Sequence, residues 1–566
     1  MAKTSTRVSF GLYALELKQD SSPVTATPLQ PFSKVQDLRT DNASSRPYAS
    51  FEPDFWLLDG GYKFLPADPV SVHVGLMSLE MSDAAGVFAD PPVLTVAFQQ
   101  VHTADGLTLR FSNYTGDYAS SVAVAYYDAA EALIREDTYA VGSTEFSTGQ
   151  EVANIKKIVI TFQTTNRPYR YLRLAGIDYG ELISFEGTSI KAAAVIEETD
   201  PLSAELRVNA LDLTIFSQDA QFSIINPEGH YAALQERQPL AVYEVVDNQS
   251  VYIGTFYLDE WENQSDTVSL FHAVDLVGVL DRQPYRGGIW LGAGIALEDL
   301  LEVVLGSIYV PYELDAALVG TVITGWLPAG SVREALQQLA FAVGASVSCA
   351  RSGSIKIYKT KVAADEPDEV TITRSQMGQG SPLALRSQVT GVEVTAHNYV
   401  AGTEDVELYD DTLAAGTHEI VFSEPAHSLS ATGATISESG ANYAVLEVAA
   451  PGAVVLSGKR YIDTTSVTRI TTADLTAGVR PNVLKITDAY LVSNTNVAAV
   501  AGRVYAYFQQ RYRQRMRLFA PAAEVGQVVV VDTLYSKQIR GLIEKMSIDL
   551  AGGFVAEVEV VGVQNE

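Results

Sequence analysis

The sequence predicts a mainly β, multidomain chain: an N-terminal sandwich of jelly-roll type, then barrel-like β domains joined through a small α/β connector. Three observations carry this expectation. Short runs of alternating apolar and polar residues recur from about residue 46 onward, as strands with one buried face require. Helical spacing of apolar residues is confined to a few segments beyond residue 290. The chain has 566 residues, 47% of them apolar and 19% charged, which is ordinary globular material and enough for roughly four domains of about 150 residues.

Residues 1–45 contain "SSPVTATPLQP" and "RTDNASSRP", a polar, proline-dotted lead that predicts an arm with little structure of its own. Residues 46–180 follow as the sandwich. "GLTLRF" places Leu107, Leu109 and Phe111 on one face, and "KIVITF" does the same with Ile158, Ile160 and Phe162. In "TNRPYRYLRLAGIDYG", Leu172 and Leu174 share one side and Tyr171 and Arg173 the other, with Gly176 and Gly180 marking the exit. No helical period interrupts these runs, so they predict a jelly-roll sandwich.

Residues 181–290 predict a first β-barrel. Leu206 and Val208 have one parity and Leu211, Leu213 and Ile215 the other, so a single strand bent by a bulge at Asn209 and Ala210 is expected. Residues 291–362 predict a small α/β domain. Leu297, Leu300, Leu301 and Val304 recur at helical spacing and stop before Gly306, which reads as the C-terminal cap. Ser331 and Glu334 form a capping box ahead of the stripe Val332, Ala335, Leu336, Leu339, Ala340 and Val343, and Gly344 ends it. "GGIWLGAG" reads as a turn.

Residues 363–566 predict a second β domain, with strands in "EVTIT", "GVEVTAH" and "NVLKITD" and a Gly, Ala, Ser and Thr rich β insertion at about 411–475. A long helix carries Val497, Val500, Ala501, Val504, Tyr505, Phe508 and Tyr512 on one stripe. The last two strands turn about Gly552 and Gly553.

The net charge of −29 repels nucleic acid and anionic membrane, so no sequence-specific nucleic-acid role is expected. Arg511, Arg513, Arg515 and Arg517 recur with a period of two, which reads as a solvated strand face or a subunit contact. Cys349 is the single cysteine, expected as a small buried apolar residue. The first twenty residues have no apolar run of signal-peptide length, and no segment approaches the roughly 20 apolar residues of a membrane span. The chain is therefore expected to stay in the cytoplasm where it is made, or to leave it without the secretory route.

Seven histidines are scattered without metal-pair spacing, and no phosphate loop, nucleophile elbow or dinucleotide glycine fingerprint occurs. Adjacent acids such as Glu197–Glu198 and Asp410–Asp411 point to opposite faces of a strand, a poor geometry for a glycosidase pair, and read as solvated surface charge. The expectation is no enzyme, no cofactor and no metal. The sandwich offers a different chemistry, because an aromatic ring stacks on a sugar face while amide, carboxylate and guanidinium groups hold its hydroxyls. "NYTGDY" and "NRPYR" supply both kinds, making Tyr114, Asp117, Tyr118, Asn166, Tyr169 and Arg170 the candidate carbohydrate-binding residues. Trp56, Tyr126, Tyr127 and Tyr171 are further aromatics at strand ends or in loops.

"RYLRL" resembles the closing strand of discoidin-like, galactose-binding-type jelly rolls. In order, "QPFSKVQDLRT", "YASFEPDFWLLDG", "NRPYRYLRLAGIDYG", "GTFYLDEWENQSDTVSLFHAVDLVGVLD" and "IEKMSIDLAGGFVAEVEVVG" resemble a tail protein of phages and prophages of Gram-positive bacteria. The resemblance implies hub-type β-barrel domains after the jelly roll and a structural virion protein of the baseplate or tail tip, assembled in the host bacterial cytoplasm. It also implies a homotrimer that closes the distal end of the tail tube. Its partners would be the tube or distal tail protein, the tape measure, tip proteins and host cell-wall glycan. The chain stops soon after the last hub strand, so wall cleavage is expected from another chain. The alternative is a carbohydrate-active enzyme with an appended carbohydrate-binding domain; the missing signal peptide weighs against it.

Overall fold

The structure is a computed structural model that describes residues 4–39, 49–54, 74–112, 115–226, 229–230, 234, 236–246, 249–308, 310–362, 370–378, 380–472, 480–519, 523–533, 537–551 and 553–565. It is mainly β and divides into two units, one of residues Ser9–Ser184 with Ile225–Gln238, the other of Met1–Val8, Phe185–Ile224 and Pro239–Glu566.

The Ser9–Ser184 unit is a sandwich. One sheet has five antiparallel strands in the order Ser21–Val24, Val93–Ala104, Val152–Thr165, Ala119–Tyr127, Leu133–Ala140. In the other, Tyr171–Glu186 pairs with Leu76–Met81 and Leu107–Phe111, and the latter pairs with Glu145–Ser147. The two alternating faces read from the sequence meet: Ile158, Ile160 and Phe162 pack against Leu107, Leu109, Phe111, Leu172 and Leu174 in one core. Phe111 and Phe162 cross edge to face at 6.2 Å.

Of the arm expected over residues 1–45, residues 4–39 are instead part of the folded protein, and the rest lies outside the described residues. Thr4–Tyr13 is a strand, Leu15–Asp20 a short helix, and Leu17 and Leu38 are buried in the sandwich core. Lys18 Nζ lies 2.6 Å from the buried Asp178, which Arg110 also meets at 2.9 Å. The proline that suggested a loop, Pro23, lies on a strand at the edge of the sheet, where a missing N–H costs no ladder bond.

Among the described residues, the other unit contains no separate barrel over 181–290. Its strands run in the open order Gln538–Asp549, Ile190–Glu198, Ala210–Phe216, Val268–Val274, Gln249–Ser265, Pro239–Val246, so the first of this region joins the last part of the chain in one sheet. Ala194 stands opposite Asp549 and Glu198 opposite Lys545. The bent strand is also corrected. The strand starts at Ala210 with Leu211, Leu213 and Ile215 inward, whereas Leu206 packs into the α/β core. The change of parity marks entry from one core into another.

In that α/β part, helices Leu297–Val304 and Val332–Val343 pack with strands Tyr312–Leu314, Ala345–Ser348 and Ile355–Lys359. The capping box is present: Ser331 Oγ accepts from Glu334 N at 3.2 Å and Glu334 Oε2 accepts from Ser331 N at 2.8 Å. Gly344 caps the helix in the left-handed region at φ 76°. Leu305, not Gly306, caps the earlier helix, and the chain continues there as a 3-10 turn. "GGIWLGAG" lies in a strand, Gly288–Ala296, paired irregularly with Val322–Leu327.

The insertion forms two three-stranded sheets from Tyr399–Leu413, Gly452–Asp463 and Ala426–Thr432, and from Gly416–Val421, Tyr443–Val448 and Thr435–Ser439, over a core that includes Leu446 and Leu456. Helix Val497–Gln509 buries Val497, Val500, Ala501 and Val504, but Tyr512 begins the next strand, Tyr512–Phe519. On that strand Gln514, Met516 and Leu518 face inward and the arginines outward, with Arg513 and Arg515 at 2.9 and 2.7 Å from Glu559. Gln538–Asp549 and Val555–Asn565 form the closing pair of strands; Gly552 lies outside the described residues. Among the described residues, no helix is long and apolar enough to cross a membrane.

Candidate functional site

Loops 82–87, 115–118 and 166–170 of the sandwich unit are joined by hydrogen bonds. Asp83 Oδ1 accepts from the N–H groups of Ala85 and Val87 at 2.8 and 2.9 Å, closing a tight turn. Its carbonyl accepts from Tyr169 N at 3.3 Å. Asn166 behaves as a backbone neighbour to the middle loop: Oδ1 accepts from Tyr118 N and Nδ2 donates to Gly116 O, both at 3.0 Å.

Asp117 lies beneath. Its side chain is 3% exposed and receives Arg167 Nε at 2.7 Å and Nη2 at 2.6 Å, with Arg170 Nε at 3.4 Å. Arg170 is itself buried, donates from Nη1 to Pro53 O at 2.8 Å, and its N–H reaches Ser82 Oγ at 3.1 Å. Next along the chain, Glu52 is fully buried. It pairs with both Nη atoms of Arg173, accepts from Tyr171 N at 2.8 Å and from Ser50 Oγ at 2.5 Å. Such bidentate, charge-assisted bonds hold residues 50–53 against the strand that follows the loop.

The structure therefore brings five of the six sequence candidates together but assigns them different work. Tyr114 lies outside the described residues, as does Trp56. Asp117, Asn166 and Arg170 are committed to contacts between loops. Tyr118 is half-buried against the sandwich core. Tyr169 projects: it is 45% exposed and its backbone sits at φ 56°, a conformation held by the turn around it. Arg167, not among the candidates, is also part-exposed and reaches across to Thr115 O at 2.5 Å. Tyr126 is core, with burial pushing its hydroxyl up to about 12. Tyr127 and Tyr171 carry cations over their rings, Lys157 at 4.5 Å and Arg173 at 5.8 Å.

Three further readings of chemistry-bearing residues meet the structure elsewhere. Glu197 is not solvated surface charge: its side chain is 1% exposed, Arg351 Nε lies 3.4 Å away, and burial raises its carboxyl above the usual range. Its neighbour Glu198 points the other way, to Lys545. Cys349 is buried as expected, and burial raises its thiol. His397 is a satisfied core histidine, with Nδ1 2.6 Å from Asp463 Oδ2 and Nε2 2.8 Å from Thr487 O.

No family model matches the chain. No curated protein matches it either. Among solved structures the chain is similar to the 43 kDa tail protein of prophage MuSo2 from Shewanella oneidensis, with 11% identity and a TM-score of 0.40 over 67% of this chain and 95% of that one. It is similar to prophage tail protein gp18 from Listeria monocytogenes, with 9% identity and a TM-score of 0.39 over 68% and 92% of the two chains. A shorter likeness covers 31% of this chain and 99% of the family 32 CBM from C. perfringens NanJ, solved in complex with galactose, with 9% identity and a TM-score of 0.19.

Proposed function

We propose that this chain is a structural protein of a phage or prophage particle, placed at the distal tip of the tail. Three copies close the tail tube there and contact other tail proteins, and the sandwich unit touches cell-wall carbohydrate of a Gram-positive host. The observation that carries the tail assignment is the ordered set of five segments, from "QPFSKVQDLRT" to "IEKMSIDLAGGFVAEVEVVG", spread over nearly the whole chain.

The carbohydrate contact is supported by the loop cluster. Hydrogen bonds and ion pairs among Asp117, Asn166, Arg167 and Arg170 tie the loops together, and the ring of Tyr169 stands out from them as a stacking surface beside Arg167. One such platform binds weakly, and several copies on one particle convert weak contacts into useful attachment. The proposal assigns the chain no catalytic step.

The test is labelling of candidate host cells by the multimerised full chain. Labelling that falls when wall glycans are stripped, and falls with Tyr169→Ala, supports the reading. Failure to label any candidate host, or equal labelling after stripping, removes it.

A further inference from the structure

The segment from Thr371 to Leu385 borders both edges of the C-terminal strands. Thr371–Ile372 pairs in parallel with Val530–Val531, and Leu383–Leu385 pairs antiparallel with Tyr512–Gln514. Between them the chain makes the 3-10 turn Arg374–Gln376 and a bridge from Met377 to Leu518. A groove of about 740 Å³ opens between this segment and the strand ends that carry Tyr512, Gln514, Lys537, Gln538 and Gln564. That volume is in the range of small-molecule sites, roughly 300–1,000 Å³.

The lining is mixed, and some of its polar side chains are fixed in place. Gln514 is buried and donates to Ser381 O at 3.1 Å, while Gln538 Nε2 donates to Asp532 Oδ1 at 3.0 Å. Arg374 and Lys537 are exposed, both line the groove, and neither forms an ion pair among the described residues. Of the neighbouring cations, Arg513 and Arg515 pair with Glu559 and Lys545 with Glu198. Arg374 and Lys537 outnumber the single carboxylate of the lining, Asp532, so in a chain of net charge −29 this groove is locally cationic and favours an anion. Half-buried Tyr512 and exposed Pro382 supply an apolar surface of the kind that stacks on a sugar. Asp532 adds an acceptor suited to hydroxyls and unfavourable to a bare polyanion.

We propose that this groove binds a small anionic saccharide, a sugar bearing one carboxylate or phosphate group. Arg374 and Lys537 hold the anion, Tyr512 meets the sugar face, and Gln564 and Asp532 meet its hydroxyls. The site belongs to the other unit from the Tyr169 loops and stands or falls independently of them.

The experiment uses the full chain with glucuronate and glucose-6-phosphate as probes, and glucose and inorganic phosphate as controls, read by calorimetry and saturation-transfer NMR. Both anionic sugars are expected to bind at least about tenfold more tightly than either control, and the double variant Arg374→Gln/Lys537→Gln to lose at least about tenfold of that affinity. Both substituted side chains are exposed, so the melting curve stays that of the parent. Absence of binding by both anionic sugars overturns the proposal, as does affinity unchanged in the double variant. Inorganic phosphate bound as tightly as the sugars also overturns it, because the groove would then recognise only charge.

Discussion

Asp117 and Tyr169 sit close together in the loop cluster and play opposite parts. Removing the Asp117 carboxylate leaves Arg170, whose side chain is 6% exposed, without its acid. Breaking a buried pair from one side costs about 3 kcal/mol or more, so Asp117→Ala is expected to lower the unfolding midpoint of the sandwich unit and to speed hydrogen exchange in residues 115–118 and 166–170. Tyr169→Ala is expected to change stability by less than about 1 kcal/mol while weakening glycan labelling. Equal losses of stability in the two variants would show that Tyr169 is packing rather than a contact surface.

Glu544 makes a pH prediction of known sign. Burial raises its carboxyl to about 7, against the opposing charge of Arg386 and the hydrogen bond from Tyr507 OH at 2.9 Å. The folded protein thus holds this proton more tightly than the unfolded chain. Its contribution is greatest below the unfolded value of 4.5 and is lost as pH rises toward about 7. Glu544→Gln, which keeps an acceptor for Tyr507, is expected to match the parent at pH 4 and to exceed it by about 2–3 kcal/mol at pH 8. Denaturant curves at the two pH values check this, and a variant that is weaker at pH 8 contradicts it.

At the scale of elements, the helix Val332–Val343 tests local reading. Its cap, stripe and terminal glycine were all legible because each is a short-range signal within fourteen residues. Ser331→Ala is expected to cost about 1 kcal/mol, measured by the same denaturant curves. Signals that depend on distant partners were not legible. Thr4–Tyr13 and Ser21–Val24 read as an arm because proline and polar residues hide short elements whose apolar partners come later in the chain.

The barrel at 181–290 failed for the same reason, since one of the two partners of Ile190–Glu198 lies beyond residue 537. In the candidate site, "NRPYR" announced a polar, aromatic loop, but nothing local told Arg170 and Asp117, which bind each other, from Tyr169, which does not. Glu52 escaped notice because its partner Arg173 is 121 residues away. The groove under Thr371–Leu385 left no trace in the sequence, being built from strand ends brought together only by the sheet.

At the scale of the whole molecule, the proposed contact surface belongs to the sandwich unit and the proposed ligand groove to the larger unit, with no catalytic step in either. Incubation of the full chain with purified peptidoglycan and teichoic acid is expected to release no fragments; turnover by a preparation whose contaminants are controlled would favour a carbohydrate-active enzyme. The central claim concerns place and copy number, and isolated protein tests neither if neighbouring tail proteins are needed for assembly. The most direct measurement is imaging of intact particles at their tail tips, with the symmetry of the density for this chain determined from the particles themselves. The account predicts the chain at the distal tip in three copies. Finding it elsewhere in the particle, or at the tip in another copy number, contradicts that account.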